Sequence, residues 1–476
     1  MARRPALRRK INHQHQINFG PSNLKLTNTY YQKYEAASTI LDKNPKIVDR
    51  VHRDLKVALE TEAARGRGGG KFRYTSDTVL RILVCQIIEG LSLRGVIIRI
   101  DDSHCLRQFV RIYDGPMMDF TTLCKLRNCI RPETWRKINE SLARYAVEQE
   151  LIEGDQVRLD TTAVETNIHW PTDSSLLWDT YRVLARLIEQ ARKIDSGAVG
   201  DRRLQLKKAK RLSSAISRKA SRKPGSREKL IPLYEKLIRL VTGICVWAEE
   251  VRQELSDGCR TGRYGALEHA MAEYIAQETA HYRSLGLHVL DQAARRVLDG
   301  EQIPNDEKIF SIFEPHTELL KRGKAAKPVE FGHMIQIQQV QGKFITHYDV
   351  FDKKPVEHAL VRPALNRHRK LFGQYPRSLS TDKGYYESMR AIEELSAEVE
   401  IVSIAKKGKR NEQETLRESD HDFRLGQRFR AGVEGSISFL KRILGLFRCF
   451  NKGWEHYVST VSAAIFTHNL LILTRT

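Results

Sequence analysis

At 476 residues the chain has room for about three domains of ordinary size, and this length excludes a small scaffold held together by disulfides. Hydrophobic residues at 41% and charged residues at 29% fit a globular protein, and the longest apolar stretch, Ala463 to Leu473, is broken by His468 and Asn469, so no membrane span is expected. Eighty Lys and Arg against 58 Asp and Glu leave a formal net charge of +22.

The location of that charge is more informative than its size. Residues 1–74 carry 16 cations against 6 anions, and residues 191–230 carry 14 against 3, while the remainder is nearly neutral. Two cationic segments on a balanced body suggest contact with a polyanion, through binding that weakens as salt rises; a solvated basic face is the competing reading. Arg3, Arg4, Arg8, Arg9 and Lys10 open the chain, but Ile11-Asn12-His13-Gln14 follows where a signal peptide would need an apolar run. The seven scattered cysteines form no disulfide framework. Both observations predict a cytoplasmic protein.

In chain order, residues 1–74 read as a basic, polar arm ending in a glycine-rich hinge, Arg65-Gly66-Arg67-Gly68-Gly69-Gly70-Lys71. The hinge is not a phosphate-binding loop, because Phe72 stands where Ser or Thr should follow the lysine. From Ser76 onward, apolar residues at helical spacing (Val79, Leu80, Leu83, Ile87) and further segments from Leu93, Thr121 and Pro132 predict an all-helical domain over 75–152. Its basic faces suit a DNA reader, and a plain packing domain fits equally well.

The pattern then changes. Val157, Leu159 and Val164 among threonines predict a buried strand after Gly154. Helical periodicity returns over 174–304, with Leu233, Leu237, Leu240, Ile244, Trp247 and Val251 as a packing seam. Lys207, Lys208, Lys210, Arg211, Arg218 and Lys219 lie in this helical block and are its candidate DNA contacts. A hairpin over Val329 to Val350 follows, turning at Gln341-Gly342, then a helix from Val356 to Leu371, a strand from Pro376 to Asp382, a helix, a strand from Val399 to Ile404, and a final helical region. The order predicts an α/β fold: an RNase H-like mixed sheet flanked by helices over 153–173 and 305–476, with an all-α insertion over 174–304 after the first core strand.

Three acids stand out in this framework. Asp160 lies within the first strand, where an ionised carboxylate is costly unless it is paired or bound to a cation. Asp382 ends the fourth core strand in Asp382-Lys383-Gly384-Tyr385. Glu434 falls in a helical segment where intervals of four and seven put Arg430, Glu434 and Lys441 on one face. Oxygen ligands suit Mg2+ or Mn2+. Asp155 and Asp173 are weaker candidates, at the strand entrance and a helix cap. Cys124 and Cys129 lack a second ligand pair, so zinc is not expected. Trp170, Tyr385 and Trp454 could stack on an unpaired base, although buried packing is the plainer reading.

The run Asp160-Thr161-Thr162-Ala163-Val164-Glu165-Thr166-Asn167-Ile168 with Pro171-Thr172-Asp173, then Asp382-Lys383-Gly384-Tyr385 and Arg430 to Lys441, resembles DDE transposases of bacterial insertion sequences. The likeness covers about 150–175 and 305–476 and is looser over 75–150. It implies that Asp160, Asp382 and Glu434 hold two divalent ions, that Arg430 and Lys441 contact phosphate, and that the enzyme cleaves and joins double-stranded DNA at element ends and target as a homodimer or larger assembly. Gln427 stands where the family signature has tyrosine, and 221 residues separate Asp160 from Asp382 while 51 separate Asp382 from Glu434. Two other functions stay open: a DNA-binding protein without catalysis, and a structure-selective nuclease of the same fold.

Overall fold

A computed structural model describes residues 24–64, 74–220, 228–321 and 328–475. The first ten residues' cations and the 65–71 hinge lie outside these, as do Arg222, Lys223 and Arg227 of the second basic segment. The chain divides into two compact units, one of residues 1–165 with 333–476 and the other of residues 166–332. The fold is mixed α/β, with parallel and antiparallel strands.

In the first unit, residues 25–64 differ from the arm expected. They form two helices, Lys25–Lys43 and Pro45–Ala64. Tyr34, Ala37 and Leu41 on the first, then Ile47, Val48, Val51 and Leu55 on the second, are buried. They recur at intervals of three and four, and each of the larger ones gains about 1.5–3 kcal/mol from burial. The surrounding charges hide this stripe when composition is averaged over the segment. Five more helices follow, Ser76–Ile88, Leu93–Asp101, His104–Val110, Phe120–Cys129 and Pro132–Glu148. Thr75, Ser92, Ser103 and Asp119 each cap one of the first four by accepting from a backbone N–H.

These helices have no core of their own. One cluster joins Tyr34, Leu83 and Ile138 to Val157, Leu159, Val340, Leu379 and Phe466. The seven helices, the sheet and the last helix, Trp454–Leu473, therefore bury apolar surface jointly.

The strands are β1 (Gln156–Thr166), β2 (Glu318–Lys321), β3 (Val329–Val340), β4 (Ile345–Val350), β5 (Ser378–Thr381), β6 (Ile401–Ile404) and β7 (Arg448–Cys449). β1 is hydrogen-bonded to β3 and to β5, β5 to β6, β3 also to β4, and β7 to β1. β5 runs parallel to both β1 and β6, and β3 is antiparallel to β4. Helices Val361–Phe372 and Met389–Ser396 occupy the β4–β5 and β5–β6 connections. After β6 come helices Glu412–Ser419, His421–Ala431 and Val433–Arg442.

The second unit is built on helices Asp173–Ile194, Leu206–Lys219, Ile231–Arg260 and Ala266–Ala293. Leu177, Leu184, Leu237, Ile244, Ile275 and Val289 are in its core, so the expected seam is a packing surface. The unit is not purely helical, because β2 pairs antiparallel with residues 329–332 at the start of β3. Only one residue of this four-residue strand, Leu320, is buried, which leaves little alternation for a sequence reading to detect. Asp173 is not the cap of its helix: Thr172 accepts from Ser175 N, and the Asp173 carboxylate takes two bonds from Arg296 Nη1 at 2.7 and 2.9 Å.

Candidate acidic site and basic groove

The β1/β5 ladder pairs Gln156 with Ser378, Val157 with Leu379 and Arg158 with Ser380. Carried two residues further, the same register sets Asp160 level with Asp382. Side chains two apart on a strand share a face, so Arg158 and Asp160 on β1 share one with Ser380 and Asp382 along β5. Helix His421–Ala431 covers part of that face: a Cβ on Gly426 would lie 3.0 Å from Ser380 Oγ. Gln427 Nε2 donates to Thr381 O at 3.2 Å and Ser403 O at 2.5 Å, tying the helix to the ends of β5 and β6. Gln427 thus supplies two N–H donors where a phenol would have one.

Asp160 is 9% exposed and accepts from Thr161 N at 2.7 Å. Asp382 Oδ1 accepts from Gly384 N at 2.9 Å and caps the short turn that follows β5. A third carboxylate here escaped the sequence reading. Glu357 Oε1 accepts from Thr161 Oγ1 at 2.5 Å, and its Oε2 occupies the space a side chain at Gly384 would need. The buried Tyr385 phenol is held well above its usual pKa, first by burial and then by the negative charges of Asp160, Glu357 and Asp382, with a hydrogen bond from Gln336 opposing them. Glu357 opens a short turn before Val361, and nothing in its sequence spacing separates it from an ordinary surface acid.

Glu434 lies differently. It stands in the first turn of helix Val433–Arg442 with its side chain 71% exposed, and Arg430 Nη2 donates to it at 3.4 Å. Lys441 is half-buried, seven residues along that helix. Among the described residues no three His, Cys, Asp or Glu side chains are grouped closely enough to hold a metal ion. Asp160 and Asp382 still fit a hard cation, because Mg2+ keeps several waters and needs only one or two protein carboxylates when substrate phosphates complete its shell. All seven cysteines are free thiols. Of the three candidate aromatics, Tyr385 is buried, Trp454 stacks on Tyr457 with 5.8 Å between centroids, and Trp170 is exposed.

The second candidate is a groove of about 760 Å³ in the other unit, lined by Arg192, Arg202, Arg203, Lys207, Lys208 and Arg211 together with two acids, Glu189 and Asp201. Helix Leu206–Lys219 begins there, and its N-terminus adds a partial positive charge. Ala209, Ser213 and Ile216 are buried at intervals of four and three. That leaves Lys207, Lys208, Lys210, Arg211, Arg218 and Lys219 exposed, with no ion pair to any described residue. Arg202 is committed elsewhere, to Glu250 and to the face of Trp247. Arg192 and Arg203 belong to the basic segment in sequence, and only the fold shows that they line the same groove as the lysines.

No helix among the described residues is long and apolar enough to cross a membrane. Comparison of the chain with protein-family models, curated proteins and solved structures gives no match.

Proposed function

We propose that this chain is a DDE transposase with an RNase H-like core, cutting double-stranded DNA at element ends and joining the 3′ ends to target DNA. The observation that carries the reading is the parallel β1/β5 register, which extended by two residues sets Asp160 level with Asp382, with Arg430 in the last turn of the helix that covers those strands and Glu434 just beyond it. The order of strands and connecting helices supports the RNase H-like assignment. The two aspartates would hold the divalent ion, Mg2+ or Mn2+, whose role when bound is to activate an attacking hydroxyl and stabilise a leaving oxygen. Arg430 would draw a phosphate toward the site and release Glu434, which would turn inward once DNA displaces their ion pair. Thr161 and Gly384 hold the aspartates in place through backbone N–H groups. The basic groove would grip the phosphodiester backbone without reading sequence. Because two ends are cut and joined together, the working form would be a homodimer or larger, in the cytoplasm with the DNA.

The test is a plasmid carrying the coding sequence with its native flanks, incubated with the protein and Mg2+. Wild type should nick the flanks and give joined product, whereas Asp160→Asn and Asp382→Asn should each abolish cutting and still bind DNA. Equal cutting by wild type and Asp160→Asn would refute the assignment. Nicking without joined product would favour the nuclease. The exposed position of Glu434 favours one further alternative, a DNA-binding protein without catalysis; it would bind the flanks and cut under no divalent ion.

A further inference from the structure

A cavity of about 490 Å³ in the first unit is lined by the helical segments around Leu83–Leu93 and Arg127–Trp135 and by residues 444–464. Its walls are largely apolar: Leu83, Ile87, Leu91, Trp135, Leu444 and Ala464. At its edge Phe447 and Phe450 stand 52% and 63% exposed, edge to face with 6.1 Å between centroids. Large aromatic rings held in water at a cavity mouth lack the contacts that ordinarily repay their exposure.

The polar part of the lining is not random. Arg127 is half-buried, and its guanidinium donates only to Asn128 Oδ1, at 3.1 and 3.2 Å, and to Cys124 Sγ at 3.7 Å. No described carboxylate pairs with it. Burial lowers its pKa, and the groups that oppose the shift are the Cys124 and Cys449 side chains, not a carboxylate. The neighbouring Arg448, by contrast, has a counter-ion in Glu165 at 2.7 Å. A desolvated cation facing an apolar cavity is costly unless an anion arrives.

We propose that this cavity binds a nucleoside monophosphate, free or at the end of a strand. Its phosphate would sit on Arg127 and its base between the cavity wall and the Phe447/Phe450 pair. An acyl carboxylate would satisfy the guanidinium and the apolar walls equally well. It would leave the His456 imidazole and Asn451 Oδ1, which also line the cavity, facing hydrocarbon, whereas a base edge offers them donors and acceptors; Ser459 and Thr460 are already bonded, to Ile130 O at 3.4 Å and to His456 O at 2.7 Å. The volume falls within the range of small-ligand pockets. This inference does not rest on the transposase reading, since no residue of the acidic site takes part.

The experiment is calorimetric titration of the full chain with dAMP and TMP, then adenosine, palmitate and a 5′-phosphorylated single-stranded decamer. Arg127→Met should weaken nucleotide binding at least tenfold and Phe450→Ala about fivefold, and adenosine should bind at least tenfold more weakly than dAMP. Phe450 is exposed, so its variant keeps the test valid if Arg127→Met fails to fold. Lys207→Glu with Lys208→Glu should leave this binding unchanged, which separates it from the basic groove. Mononucleotide binding indifferent to both Arg127→Met and Phe450→Ala, or binding of palmitate in preference to dAMP, would overturn the proposal. A decamer that binds while mononucleotides do not would overturn the free-nucleotide form and leave the strand-end form. None of these outcomes depends on whether the chain cuts DNA.

Discussion

The Arg158 guanidinium fills the space that any side chain at residue 432 would need. Its Nη1 donates to Phe429 O at 2.5 Å, its Nε donates to Gln339 Oε1 at 2.9 Å, and it lies 4.5 Å from the Phe429 ring centroid. A cation rising from β1 thus passes through the break between helices His421–Ala431 and Val433–Arg442 and fixes where the second begins. That start sets the position of Glu434. Gly432 has a φ of −64°, so space and not backbone conformation requires the glycine there.

Gly432→Ala should therefore push the guanidinium off Phe429 O and strain the helix junction. The expected loss is about 2–3 kcal/mol, from overpacking together with a weakened charge-assisted hydrogen bond. Urea unfolding checks it: the midpoint should fall with an unchanged slope, and an unaltered midpoint would show that Arg158 has room to move.

The basic groove makes a prediction about salt. Lys207, Lys208 and Arg211 are exposed and unpaired among the described residues, so replacing them by alanine should leave stability within about 0.5 kcal/mol. If each neutralises one phosphate of duplex DNA, the log–log dependence of affinity on salt should flatten by about 2–3 in slope for the triple variant. Fluorescence anisotropy with a random-sequence duplex at several salt concentrations measures this. A weaker affinity with the original slope would place the contacts elsewhere.

Much of this architecture could be read from the residues. The β1 strand, the β3–β4 hairpin and β5, which stops just before Asp382, announce themselves through branched and aromatic residues bounded by glycine or a turn. Strand register cannot be read in that way, since the β1/β5 ladder that brings Asp160 level with Asp382 pairs residues 222 positions apart, Gln156 with Ser378 and Arg158 with Ser380. For a related reason Glu357 was missed, and Arg127 reads only as one cation among the basic faces of residues 75–152. What distinguishes each is its surroundings, a threonine hydroxyl and a glycine for one, an apolar cavity for the other. Helices 25–64 were missed because a charged surface outweighed a narrow buried stripe in the average. Glu434 was placed on its helix from spacing alone, and spacing carries no information on whether a side chain turns inward.

A buried charge network in the helical part of the first unit should be a point of fragility. Arg81 is fully buried, and its Nε donates to Asp77 Oδ1 at 2.8 Å, its Nη2 to Asp42 Oδ1 at 2.8 Å and its Nη1 to Ser38 Oγ and Phe109 O. Arg111 bonds the other oxygen of Asp77 at 3.0 Å. Asp77→Asn leaves two guanidinium groups short of charge in a low-dielectric site and should cost about 3–5 kcal/mol. Replacing Arg81 and Asp77 together, by Met and Leu, should recover part of that loss, because no uncompensated charge then remains between them. Equilibrium unfolding of Arg81→Met, Asp77→Leu and the double variant decides it; a double loss equal to the sum of the single losses would mean that the pair is not coupled.

Two buried histidines predict how stability responds to acid. His368 is stacked on Phe372 with 4.5 Å between centroids, and burial lowers its pKa to about 4. His468 is lowered to about 4 chiefly by burial, although its Nε2–H donating to Lys343 O at 2.9 Å opposes the shift. Both rings are neutral in the folded chain at pH values where the unfolded chain, with a histidine pKa near 6.5, begins to take up protons. The unfolded state binds more protons between about pH 6.5 and pH 4, so stability should fall as pH drops through that window. The full effect is about 3 kcal/mol per histidine, from a shift of about 2.5 units at 1.36 kcal/mol each. Carboxylates also titrate toward the lower end, and His368→Phe isolates the imidazole contribution. Unfolding free energies measured at pH 7, 6, 5 and 4 should decline less steeply for this variant than for wild type, and parallel curves would show that the folded chain protonates His368 without penalty.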